Sequence, residues 1–139
     1  MAVPDSDEID WPMAMEQCGD DEEFLRELLS DLRHEVDTQW HKIDAAVEKA
    51  EGISFMDIKR AAHVIKGASS NLMCEPLRTA AADLEKAASK GYDSHKIKSK
   101  SESTEDIDLD PEWKNVKELV PILRKANVNY HDFLKSIDV

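Results

Sequence analysis

The chain has 139 residues, with 18 basic and 30 acidic side chains and a formal net charge of -12. That length suits one domain around one core, and so acidic a chain is a poor nucleic-acid binder, which needs a basic face for phosphates. No apolar run is long enough to span a bilayer.

Residues 1–9 (MAVPDSDEI) read as a disordered acidic N-terminus without a signal-peptide core. A short helix is expected over 11–18, with Asp10 as its cap, Pro12 in its first turn, Ile9 as a staple and Gly19 as its end. A long helix follows over about 21–49, capped by Asp20 and closed by Gly52. Its apolar stripe is Leu25, Leu28, Leu32, Val36, Trp40, Ile43, Val47 and Ala50. The third helix covers about 54–72, with Phe55, Ile58, Ala62, Ile65, Ser69 and Leu72 inward. The fourth begins near Pro76, buries Leu77, Ala81, Leu84 and Ala88, and stops at Gly91. Residues 92–109 (YDSHKIKSKSESTEDIDL) switch from basic to acidic and read as a flexible insert. A last helix starts at Asp110-Pro111 and carries Val116, Leu119, Leu123, Ala126, Tyr130, Phe133, Leu134 and Ile137. Pro121 removes a helical donor, so a kink or break is expected there.

No strand-like alternation occurs anywhere. The expected fold is all-α, an antiparallel four-helix bundle over 10–139 with a short additional N-terminal helix. Cys18 and Cys74 lack metal or redox spacing and read as reduced thiols. A cytoplasmic chain is expected, small enough to enter the nucleus as well, with an acidic surface that favours a monomer.

The third helix carries the chemistry. At about 100° per residue, His63 lies roughly 150° from the middle of the apolar stripe and faces solvent. Met56, Lys59, Arg60, Lys66, Gly67 and Ser70 share that face. Three cations around one imidazole reverse the sign of an otherwise acidic chain. An interior glycine costs a helix about 0.8–1 kcal/mol relative to alanine. Gly67 points outward, where packing does not require it, and it clears the approach to the ring.

The run His63-Val64-Ile65-Lys66-Gly67-Ala68-Ser69-Ser70 resembles the phosphorylation motif of histidine-containing phosphotransfer (HPt) domains: His, two variable residues, Lys, Gly, then small residues. The segment from Ile9-Asp10-Trp11 through Gly19-Asp20 is similar to that family's N-terminal part. The resemblance implies that His63 accepts a phosphoryl group on its outer ring nitrogen, with Lys66 stabilising the phosphate and Gly67 leaving room. It further implies that Glu85, on the next helix, bonds the inner ring nitrogen. It departs at Met73, where family members usually carry glycine. The implied partners are receiver domains of hybrid histidine kinases and of response regulators. The magnesium ion would come from the receiver, and this chain would use no cofactor.

The docking patch expected around His63 comprises Trp11, Met15, Met56, Lys59, Arg60 and Ser70. No ATP or phosphate-loop motif is present, so a relay without kinase or ATPase activity is expected. Two other readings are a helical adaptor without chemistry, and a metal-dependent bundle using His34, Asp37 and His41, which lie on one helical face. The latter lacks the paired Glu-x-x-His motifs of di-iron bundles, and the His-x-x-Lys-Gly run favours phosphotransfer over both.

Overall fold

The computed structural model describes residues 7–99 and 110–139, and the side chains of 7–94 and 110–139. Five helices follow in order: α1 (Trp11–Gln17), α2 (Glu22–Lys49), α3 (Gly52–Asn71), α4 (Glu75–Ser99) and α5 (Pro111–Ser136). Among the described residues there is no strand. The fold is an antiparallel bundle of α2–α5 in which successive helices are neighbours. α5 returns beside α2, and α1 lies against α2.

Capping sets the helix starts. Asp10 accepts from Met13 N at 3.2 Å and Asp21 from Phe24 N at 3.1 Å. Asp110 accepts from Glu112 N at 2.9 Å. The cap of α2 is therefore Asp21 and not Asp20, because Gly19 and Asp20 are both left-handed, with φ of 65° and 62°. The α2 terminator is likewise corrected. Ala50 takes the left-handed position (φ 49°), while Gly52 is the first residue of α3. There the backbone N–H of Glu51 donates to Ser54 Oγ at 3.1 Å.

The buried line of α2 is Leu25, Leu29, Leu32, Val36, Gln39, Ile43 and Ala46, strictly alternating steps of four and three. Leu28, Trp40, Val47 and Ala50, expected inside, flank it half-buried. On α3, Ile58, Ala62 and Ile65 are fully buried, and each large apolar side chain so placed contributes about 1.5–3 kcal/mol. Tyr130 Oη donates to Leu29 O at 2.6 Å and Arg33 Nη1 to Val139 O at 3.0 Å, joining α5 and the chain's last residues to α2.

Three expectations are corrected at the ends and bends. Ile9 is buried and Asp10 N donates to Met73 O at 3.0 Å, so the irregular tail does not extend to residue 9; residues 1–6 lie outside the described residues. Helix α4 does not stop at Gly91 but runs on to Ser99, taking in the first part of the expected insert. The remainder of that insert, 100–109, is outside the described residues. Helix α5 passes unbroken through Pro121, whose position on the exposed side lets water satisfy the carbonyl it leaves unpaired.

Candidate functional site

Burial of Ala62 and Ile65 turns His63 outward, and its side chain is 69% exposed. On α4, Leu84 and Ala88 are fully buried, which places Glu85 at the seam facing α3. Its carboxylate holds two partners there. One oxygen lies 3.0 Å from His63 Nδ1, and the other accepts from Lys66 Nζ at 2.9 Å.

A carboxylate can only accept. The proton of the neutral imidazole therefore sits on Nδ1, and the lone pair is on Nε2. Nε2 makes no hydrogen bond among the described residues. Partial burial pushes the Glu85 carboxyl up. Hydrogen bonds from Lys66 and His63, with their charges, outweigh that and hold it below its ordinary value. The group is thus a carboxylate at neutral pH.

Ser69 is fully buried and its hydroxyl donates to Ile65 O at 2.6 Å, a packing role. Gly67 is exposed, and a β-carbon there would touch nothing within 4 Å. The surface beside the ring is bare backbone.

The structure brings together His63, Lys66, Gly67 and Glu85. Arg60 and Ser70 are exposed on the same helix, and Met56 and Lys59 are half-buried there. Trp11 is corrected: it is only 4% exposed and packs in the core, where α1 buries it together with Ala14. Met15 is half-buried against that core. Val64, next to His63, is an exposed apolar residue that hydropathy assigns to the interior. Only its angular position on the helix could have marked it as surface.

Two residues of the expected metal face, His34 and Asp37, have other partners. His34 Nδ1 lies 2.9 Å from Ser30 O, and Asp37 Oδ1 lies 3.1 Å from His131 Nε2. Among the described residues no group of three or more His, Cys, Asp or Glu side chains gathers as a metal cage. Nor is any helix among them long and apolar enough to cross a membrane.

Residues 27–120, about two thirds of the chain, match the family model of the Hpt domain. No curated protein and no solved structure matches the chain significantly. The match contains the whole His63–Lys66–Glu85 arrangement, and so the chain belongs to the Hpt family, whose members carry phosphoryl groups on histidine in phosphorelays.

Proposed function

We propose that His63 is the phosphoacceptor, and that the protein relays a phosphoryl group between receiver-domain aspartates of a hybrid sensor kinase and a response regulator. The observation that carries this is the outward-facing Nε2 of a ring whose Nδ1 is held by Glu85. Nε2 attacks the phosphorus of an aspartyl phosphate in line. The N–P bond forms as the P–O bond breaks, and the aspartate leaves as a carboxylate. The ring keeps its Nδ1 proton and becomes cationic, and the Glu85 carboxylate beside it stabilises that charge. Lys66 has three donors, of which Glu85 uses one. Another can turn to the phosphoryl oxygens, one helical turn from the ring. Transfer back to a second aspartate reverses every step.

The chain acts as an intermediate and does not phosphorylate itself. The test is to mix it with an aspartyl-phosphorylated receiver and assay for acid-labile, alkali-stable phosphate on it. Wild type is expected to become labelled and His63→Gln to stay blank. An unlabelled wild type across a panel of receivers, or full labelling of the variant, overturns the proposal. In that case the helical adaptor without chemistry takes its place.

A further inference from the structure

The groove between α2 and α3 changes sign along its length. Beside the C-terminal half of α2 it is an open trough of about 540 Å3, with Lys42 and Lys49 on one wall and Arg60 on the other. Asp57 is the one carboxylate in its lining. Beside the N-terminal half of α2 lies a second hollow of about 500 Å3, whose lining includes Asp31 and Glu35 and no cation. His63 lines neither: its ring is held by Glu85 on the α4 side of α3, and only along the helix axis does it fall between the two. Arg60, one turn before it, and Val64, next to it, line the basic trough, while Ala68, little more than a turn after it, lines the acidic hollow.

The cations of the trough are available. Neither Lys42 nor Arg60 has an ion pair among the described residues. Lys49 reaches only Glu51, at 3.9 Å, with both side chains more than half exposed. Such a pair is worth little and exchanges readily. The floor is small, made by Ala45, Ala46 and Ala61, which leaves depth for a ridge of partner side chains. Lys42 and Lys49 are two helical turns apart, about 10 Å along the axis. Charges so spread on an open surface suit the rim of a protein better than a small anion.

We propose that Lys42, Lys49 and Arg60 form an electrostatic docking rail for the receiver domain that exchanges phosphoryl groups with His63, and that the change of sign along the groove fixes how that receiver lies across α3. The inference rests on the phosphotransfer reading above. A receiver that brings an aspartyl phosphate to Nε2 fits this surface when the part of its rim over the trough carries carboxylates to meet Lys42, Lys49 and Arg60. Over Asp31 and Glu35 the fitting rim is neutral or basic. A receiver turned the other way meets like charge at both ends.

The test uses the double variant Lys42→Glu/Lys49→Glu with a receiver that transfers to wild type. At low salt the transfer rate is expected to fall about tenfold or more. The gap to wild type is expected to close as added salt screens both surfaces. Loading of His63 by phosphoramidate, a small donor that needs no docking, is expected to be unchanged, which also shows that the variant is folded. A double variant with the rate and salt dependence of wild type overturns the rail while leaving His63 as the acceptor. A wild type that takes phosphate neither from receivers nor from phosphoramidate overturns the phosphotransfer reading, and the rail with it.

Discussion

Gly91 lies directly against the ring of Phe55, with no room for a β-carbon between helix α4 and that side chain. The ring cannot easily retreat, because it is fully buried and packs edge-on against Trp113, with centroids 5.4 Å apart and planes at 89°. Gly91→Ala gains helix propensity of about 0.8–1 kcal/mol but overpacks a three-helix junction, at about 1–3 kcal/mol. A net loss of stability of up to about 2 kcal/mol is expected from urea unfolding. A variant at least as stable as wild type would mean that the junction has slack.

The same glycine marks how far the sequence could be read. Glycine ends helices and also admits close approach, and only knowledge of what stands opposite separates the two uses. Helical periodicity placed the stripe of α3, and with it the outward imidazole, because the spacing of Ile58, Ala62 and Ile65 needs no tertiary information. On α2 the stripe was assigned partly to the flank, since hydropathy gives no reason to bury Gln39, whose amide donates to Glu35 at 2.9 Å. For Trp11 the sequence is ambiguous, because an aromatic residue on a short helix suits a docking site as well as a core. Lys42 and Lys49 carry no signal in the sequence, because they sit on α2 and acquire meaning only when Arg60 of α3 stands across the groove.

The departure at Met73 has a backbone explanation. Met73 is left-handed, with φ of 59°. Its N–H donates to Ser70 O at 3.2 Å, and the next N–H, of Cys74, donates to Ser69 O at 2.9 Å. This is a Schellman ending, where glycine is favoured. A side chain there adds about 1–2 kcal/mol of strain. Met73→Gly and Met73→Ala both remove the half-buried side chain, but only glycine relieves the strain. Met73→Gly is therefore expected to be more stable than Met73→Ala by about 1 kcal/mol or more, read from their denaturation midpoints. Equal stabilities would count against the left-handed turn.

The two thiols should differ in reactivity. Burial pushes the Cys74 thiol up to about 12, with the charge of Glu8 adding to the shift. Almost none of it is then thiolate at pH 8. Cys18 is partly exposed. In native protein a thiol-specific reagent is expected to modify Cys18 and spare Cys74, which reacts once the bundle unfolds. Mass mapping of the labelled residue decides, and rapid native labelling of Cys74 would contradict its burial.

Stability and function should part company at Gly67. A β-carbon there meets nothing, so Gly67→Ala is expected to stabilise the helix by about 0.8–1 kcal/mol. The added methyl stands where the docked receiver approaches Nε2, so receiver-dependent transfer is expected to slow while thermal stability rises. Gly67→Gln should slow it further. Unchanged transfer in both variants would mean that the bare backbone turn has no part in docking.

Glu85 acts on the ring through one oxygen and on Lys66 through the other, and two substitutions separate these effects. Gln at this position keeps an oxygen for the Nδ1 proton but loses the charge facing the phosphorylated, cationic ring. Ala loses both. Transfer rates should therefore rank wild type above Glu85→Gln above Glu85→Ala, the last reduced on the order of tenfold or more. The pH dependence has a definite sign. Because the folded carboxyl is held below its ordinary value of 4.5, its contribution to stability is complete above that value and is lost as pH falls through the lower folded one. Glu85→Gln has no such proton to bind. The stability difference between wild type and Glu85→Gln, followed by thermal unfolding from neutral pH down to about pH 3, should move in the variant's favour as acid is added. A difference that stays flat would show that the bonds to His63 and Lys66 do not hold the carboxylate in solution, and the orienting role of Glu85 would go with them.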